Sequence, residues 1–228
     1  MHFMTKIIRF GAHEAQAYIH NPSDHIQGFW NKTVFYEAGH RGMLSYAYRH
    51  EPKGGLFVDI GAHRGNHSIF FAKVMGCQVF AFEPQHDNLS ALTDNFAINK
   101  IPLSQLSGYA LGAEVCEARL MRESESNSGM NHISQEGEVV DMVTLDAYAF
   151  KVSGYTTMKI DVEGYAEQVL KGGAKVLTEG TGNVYIEIDK PGELEVIDAL
   201  MEAYGYQRAK GLVFNATPTY LYKKQLAR

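Results

Sequence analysis

Asp59, Gly61, Gly65 and Glu83 are the residues whose types and spacing speak most directly of chemistry. Asp59 stands two positions before Gly61, Gly65 follows four later, and Glu83 lies 22 residues beyond Gly61. In an open α/β sheet, a glycine turn after a strand lets backbone approach a ligand. An acid ending the next strand accepts hydrogen bonds from ribose hydroxyls. The turn reads Asp59-Ile60-Gly61-Ala62-His63-Arg64-Gly65, so the middle glycine of the dinucleotide pattern G-x-G-x-x-G is missing. That pattern serves a doubly charged pyrophosphate. What remains, D-x-G-x-x-x-G, suits S-adenosylmethionine, which has no phosphate but carries a zwitterionic methionine tail and a sulfonium. Asp59 would meet the tail ammonium, Gly61 and Gly65 would admit the tail, and Glu83 would hold the ribose.

Further carboxylates follow later strands: Asp161 and Glu163 after Thr156–Ile160, then Glu187 and Asp189 at the end of Val184–Ile188. Acids converging on one sheet edge repel each other unless a sulfonium, an ammonium or a metal ion such as Mg²⁺ or Mn²⁺ sits among them. Methyl transfer is an in-line displacement that depends on positioning, and a hydroxyl acceptor needs help from a base or a metal. Asp161 is the candidate for that task; its alternative is an N-cap for the next helix. Glu163 would share a metal with it or bind the acceptor. Glu187 would bind metal or substrate, or else be satisfied by Lys190. Lys159 is expected to pair with a carboxylate. His67 either touches the cofactor tail or packs, and Ser68 reads as a helix-start residue or a ligand. His13, His20, His25 and His40 lack metal-ligand spacing.

The elements that must position these residues alternate. Leu56–Ile60 and Gln78–Phe82 read as buried strands around a helix from Asn66 to Met75. A helix over Gln85–Asn99 follows, with Leu89, Leu92 and Phe96 on one face, and then a third strand, Gln105–Leu111. The alternation breaks at Glu117–Met121 and Val139–Leu145, two strands joined by the polar loop Arg122–Gly137. Loops that long are usually functional or disordered. Strand four is Thr156–Ile160, followed by a helix over Ala166–Leu177, strand five over Val184–Ile188, and a helix over Glu193–Tyr204. Tyr206–Val213 and Thr219–Lys223 close the chain as a hairpin. Residues 1–54 form a less legible extension with an aromatic-rich stretch, Phe29–Tyr36, read as exposed, and a helix around Met43–Tyr48 ending before Pro52. The expected architecture is α/β: a Rossmann-like doubly wound seven-stranded sheet over residues 55–228. It carries an N-terminal helical extension over 1–54, covering cofactor or substrate, and a β-hairpin insertion between strands three and four.

The chain also resembles the FkbM family of methyltransferases. The segments that carry the resemblance are Phe35-Tyr36-Glu37, Val58-Asp59-Ile60-Gly61-Ala62, Gly65-Asn66-His67-Ser68, Phe82-Glu83-Pro84, Asn95 with Asn99, and Ala110-Leu111-Gly112. Asn127-Ser128-Gly129, Thr144-Leu145-Asp146, Lys159-Ile160-Asp161-Val162-Glu163-Gly164 and Asn215-Ala216-Thr217-Pro218-Thr219-Tyr220-Leu221 complete the set. The family usually has Asn where His63 stands. The resemblance implies the class I methyltransferase fold and O-methylation of a hydroxyl on a sugar, glycan or secondary metabolite. It adds Ala62, Asn66, His67, Ser68, Pro84, Ala110 and Leu111 to the cofactor contacts, along with Asp161. It nominates Tyr36, Glu37, Asn127, Asn131 and His132, beside Glu187, for the acceptor.

Composition bounds the rest. The 228 residues suffice for one doubly wound domain, with 45% apolar and 21% charged residues. A net charge of −5 without a basic cluster argues against nucleic acid as partner and leaves a small molecule or glycan as acceptor. Cys77 and Cys116 read as buried free thiols of a reducing compartment. MHFMTKIIRFGAHEAQ has no apolar run long enough for a signal peptide or a span, so a cytoplasmic protein without membrane insertion is expected. Two other functions stand beside methyl transfer: a nucleotide-cofactor oxidoreductase, disfavoured by the missing glycine, and a binding module that has lost turnover.

Overall fold

A computed structural model describes residues 4–121, 132–148, 155–188, 190, 192–214 and 218–225. The chain opens with a hairpin, β1 (Met4–Phe10) and β2 (His13–Ile19), and two short helices, α1 (His25–Asn31) and α2 (Met43–His50). Then come β3 (Leu56–Ile60), α3 (Asn66–Lys73), β4 (Gln78–Phe82), α4 (His86–Ile98), β5 (Leu106–Ser107) and β6 (Ala110–Leu111). Next are β7 (Cys116–Met121), β8 (His132–Ser134), β9 (Glu138–Val143), β10 (Thr156–Ile160), α5 (Ala166–Gly172) and α6 (Ala174–Glu179). The last elements are β11 (Val184–Glu187), α7 (Glu193–Ala203), β12 (Tyr206–Phe214) and β13 (Thr219–Lys224).

Seven strands form the main sheet in the order β12-β13-β11-β10-β3-β4-β5. β11, β10, β3, β4 and β5 run parallel, and β13 is antiparallel to its neighbours β11 and β12. The strand order reverses between β3 and β10, a switch point beyond whose carboxyl end ligands of such sheets bind. Asp59 of β3 and Lys159 of β10 are register partners there. The doubly wound seven-stranded fold is therefore present.

Three details differ from the sequence reading. The single strand over Gln105–Leu111 is two: β5 pairs with β4, whereas β6 pairs with β9 in a separate four-stranded sheet, β6-β9-β7-β8. Gly108 lies at the break, and Ala110 beyond it packs with Leu120, Val140 and Met142 in a small core of its own. The expected hairpin insertion, β7 against β9, is thus half of a larger sheet. The helix over Ala166–Leu177 is broken at Gly173. A side chain on Gly172 would overlap the Gly112 carbonyl, so the helix passes close against the loop after β6. Finally, the extension is helical only from residue 25 onward, because β1 and β2 precede its helices.

That extension packs into the sheet's core. Ile8, Ala17, Ile19, Trp30, Phe35, Met43 and Leu44 join Phe57, Val79, Ala81 and Tyr185 on one face. Trp30 and Phe35 are fully buried, which corrects the reading of Phe29–Tyr36 as exposed. The other face, with Val58, Ile60, Met158, Ile160 and Ile186, packs against Val169 and Leu170 of α5 and Ile197 and Met201 of α7. Polar joints fix the extension. Asn95 Oδ1 accepts from Tyr18 N at 2.8 Å, and the Asn99 amide both accepts from Gln16 N (2.9 Å) and donates to Gln16 O (2.6 Å). Glu51, just after α2, accepts from the hydroxyls of Tyr155 (2.7 Å) and Tyr185 (2.6 Å) and from Asn183 Nδ2 (3.0 Å).

Both cysteines are free, but Cys77 is half-buried and Cys116 exposed, not buried as expected. Cys116 begins β7, whose outer positions face solvent. Among the described residues, no helix is long and apolar enough to cross a membrane.

Candidate cofactor and acceptor site

Asp59 is fully buried at the end of β3. Its Oδ2 accepts from Ser68 Oγ at 2.6 Å, and its Oδ1 is buried with no protein partner. A desolvated carboxylate oxygen without a donor is unfavourable, so it marks a place for a donor from outside the chain. The ammonium of a methionine tail fits that requirement. Glu83 ends β4, also buried. Its two oxygens accept from His63 N (2.8 Å) and Gln85 N (3.0 Å), which fixes the carboxylate while leaving lone pairs for ribose hydroxyls. Burial pushes its pKa up to about 7, against the pull of those two amide donors.

The turn between them needs its glycines for two reasons. Gly61 has φ +82°, and a side chain there would overlap the Asp161 carbonyl. The space around Gly61 is thus filled by the loop after β10, which is how Asp161 comes to lie beside the turn. Gly65, φ +95°, begins α3, and a Cβ would come within 2.7 Å of Leu92. Ala62 is buried, and its N–H, with that of Gly61, donates to Phe82 O. Pro84 is half-buried beside Glu83; Ala110 and Leu111 are buried in β6.

Asp161, Glu163 and Glu187 each place one oxygen within 4.8 Å of the others'. Asp161 Oδ2 also accepts from Lys159 Nζ at 2.5 Å. Burial drives the Glu187 pKa up to about 8, the Asp161 charge adds to this, and Lys159 opposes it. Lys190 donates to Gly164 O at 3.2 Å. The extension supplies the opposite wall. Burial and the charges of Glu37, Glu187 and Asp161 raise the Tyr36 hydroxyl to about 12, so it remains a donor. Glu37 Oε2 lies 3.1 Å from His67 Nε2. Asn66 holds this wall in place: its Oδ1 accepts from Trp30 Nε1 and Tyr36 N, both at 3.0 Å, and its Nδ2 donates to Tyr36 O. Its side chain is therefore committed to the extension, and that of Ser68 to Asp59. Glu37, His63 and Glu163 all have positive φ (61°, 52° and 44°), a conformation that non-glycine residues adopt at a cost of about 1–3 kcal/mol and that clusters at functional sites.

The structure thus gathers Asp59, Glu83, Asp161, Glu163, Glu187, Tyr36 and Glu37 around the carboxyl ends of the central strands. Asn127, Asn131 and Asp189 lie outside the described residues, and of His132 only the backbone, in β8, is described. Two contributors were not singled out by sequence. The backbone of His63 orients Glu83, while burial, aided by Arg64, lowers its imidazole pKa to about 4 and keeps the ring neutral. The second is the clamp Asn66 makes on Trp30, for which the early part of the chain offered no spacing signal.

The family model for the methyltransferase FkbM domain matches residues 59–208. The chain belongs to the FkbM methyltransferase family. The FkbM domain match takes in Asp59, Glu83, Asp161, Glu163 and Glu187, and begins after Tyr36 and Glu37. The fold resembles an FkbM methyltransferase from Methylobacillus flagellatus KT at TM-score 0.57 and 17% identity. That similarity covers 74% of this chain and 43% of the other, so the chain spans less than half the length of that relative. It also resembles an S-adenosylmethionine-dependent O-methyltransferase from Thermotoga maritima, with TM-score 0.51, 10% identity, and 98% and 78% of the two chains covered. No curated protein matches the chain in sequence.

The raised pKa of Glu83 sets a pH dependence for this FkbM site. An acid whose pKa is raised on folding binds more protons in the native state, so its contribution to stability declines as pH rises from its usual value of 4.5 towards about 7. Ribose hydroxyls would donate more strongly to the ionised carboxylate than to the protonated acid, so ligand binding there would favour loss of the proton. Affinity for S-adenosylhomocysteine is expected to rise about tenfold between about pH 6 and about pH 8. Calorimetry in buffers of different ionisation enthalpy would register the released proton; a flat profile would mean Glu83 binds no ribose.

Proposed function

We propose that the protein is an S-adenosylmethionine-dependent O-methyltransferase acting on a hydroxyl of a sugar, glycan or secondary metabolite. The observation that carries the cofactor is Asp59, fully buried with an unpartnered Oδ1, in register beside the glycine turn and facing the buried Glu83 one strand away. S-adenosylmethionine supplies an activated methyl group on a sulfonium. Asp59 holds the tail ammonium, Glu83 the ribose hydroxyls, and Gly61, Ala62 and Gly65 keep the turn close to the ligand. Ala110 and Leu111 follow β5 in the chain but lie in β6 of the second sheet, and Pro84 stiffens the chain after Glu83.

Support for a hydroxyl acceptor comes from the facing groups. Tyr36, Glu37, Asp161, Glu163 and Glu187 offer hydrogen-bond acceptors and a phenol donor suited to a polyhydroxylated molecule, and Asp161 would take or orient the hydroxyl proton. Asn127, Asn131 and His132 belong to the loop that would select among acceptors. The acids Glu37, Asp161, Glu163 and Glu187 disfavour a nucleic acid. A divalent ion, Mg²⁺ or Mn²⁺, on Asp161, Glu163 and Glu187 is the competing account of the same three acids, favoured by their mutual distance. It ranks second because Lys159 already brings positive charge to Asp161. Two free thiols accord with a reducing compartment such as the cytoplasm.

Calorimetric titration with S-adenosylhomocysteine, and with NAD as control ligand, tests this reading. Saturable binding of S-adenosylhomocysteine alone is expected, and Glu83→Ala should weaken it by about 1–3 kcal/mol through lost ribose hydrogen bonds. Binding of NAD instead would favour the oxidoreductase, and unchanged affinity in the variant would move the site elsewhere. Cofactor binding with no turnover on any hydroxylated acceptor would favour the binding module.

A further inference from the structure

Lys159 has 1% of its surface exposed, although its side chain carries an ammonium. Such a group is strongly hydrated in water, and its burial is unfavourable unless opposite charge and hydrogen bonds compensate. Here they do. Nζ donates to Asp161 Oδ2 at 2.5 Å. Asp59, its register partner on β3, places a second acid alongside. The buried ammonium is thus held in one place by the chain itself. Asp161 keeps 27% of its side chain exposed, so the acid that grips the buried ammonium also reaches the cleft. It brings an oxygen to within 4.8 Å of those of Glu163 and Glu187. Acidic groups that close together are eased by a cation, and Lys159 supplies one from within the chain, in contact with Asp161.

We propose that Lys159 is a positioning residue for the acceptor site: its ammonium is the resident cation of the Asp161, Glu163 and Glu187 cluster, aiming Asp161 and standing where a divalent ion would otherwise be needed. The role assigned to Asp161 rests on the proposed function above. The arrangement separates two duties. Lys159 carries the charge from within the sheet, and the carboxylates keep their outer oxygens for the acceptor. A neutral side chain at 159 would leave the three acids without their cation, and the cluster would then draw one from solvent.

Mn²⁺ alone is the probe, followed by the paramagnetic resonance of the free ion. The wild-type protein is expected to show no saturable binding tighter than about 1 mM. K159M and K159Q should each bind Mn²⁺ at least about tenfold more tightly than wild type. K159R, which keeps the charge, should behave as wild type, and adding E187Q to K159M should remove the gained affinity. Two neutral variants guard against a folding failure in either, and thermal unfolding identifies the folded ones. Wild-type binding tighter than about 1 mM overturns the proposal, and so does a folded neutral variant that gains no Mn²⁺ affinity. If neither neutral variant folds, the wild-type titration decides alone. S-adenosylhomocysteine affinity is measured on the same samples and reports the cofactor reading separately, so failure of one is distinguishable from failure of the other.

Discussion

Glu51→Ala is expected to destabilise the protein by about 3–5 kcal/mol, because several donors lose their acceptor at about 1–3 kcal/mol each. Glu51 is 5% exposed, and its carboxylate gathers the hydroxyls of Tyr155 and Tyr185 and the amide of Asn183. Truncation leaves these donors, and Thr157 Oγ1 at 3.5 Å, without their common acceptor in a largely buried place. Glu51→Gln keeps one acceptor oxygen but turns an amide donor towards other donors, so an intermediate loss is expected. Urea unfolding measures both. The partners lie at the amino ends of β10 and β11, far along the strands from Asp59 and Glu83. S-adenosylhomocysteine affinity of the folded variants should therefore stay near wild type. A loss below about 1 kcal/mol would show that the donors find other acceptors once the carboxyl group is gone.

Gly61→Ala should have an effect of similar size for a different reason. At φ +82° an L-residue is strained, and the added methyl would overlap the backbone oxygen of Asp161, which has no flexible end to swing away. Left-handed strain alone is worth about 1–2 kcal/mol, and forced displacement of packed backbone adds about 1–3 more. Gly76→Ala separates the two contributions. Gly76 also has positive φ (70°), yet nothing lies within 4 Å of its would-be Cβ, so only strain applies. Thermal unfolding of the pair should place Gly61→Ala well below Gly76→Ala. Only the former should also lose S-adenosylhomocysteine binding, because the loop carrying Asp161 would be driven off the turn. Equal losses would mean that the close approach of the two loops contributes nothing.

The doubly wound sheet was legible because its strands are buried on both faces and read as continuous apolar runs, as in Leu56–Ile60 and Gln78–Phe82. Its glycine turn and strand-end acids carried the candidate site for the same reason: their position is set by the strands. The first hairpin was not legible. Inward positions of β2 are Ala15, Ala17 and Ile19, and two alanines give too weak an alternation against Glu14, Gln16 and Tyr18. The break in the third strand escaped as well, because Ala110 and Leu111 are apolar in either sheet and only their pairing with β9 separates them from β5. Lys159 could be expected to meet a carboxylate. That it does so from inside the sheet, surrounded by four acids, depends on contacts between β3, β10, β11 and the extension that no local spacing encodes.

The joint between α4 and β2 has an evolutionary consequence. Asn95 and Asn99 grip peptide groups of Tyr18 and Gln16, not their side chains. Recognition of that kind is blind to which residue occupies the gripped position. Side chains at 16 and 18 can drift from one descendant to the next without releasing the hairpin. A change at Asn99 would instead free both the N–H and the C=O of residue 16 at once. Divergence should accordingly collect on the hairpin, with the two asparagines as the fixed points that let it happen.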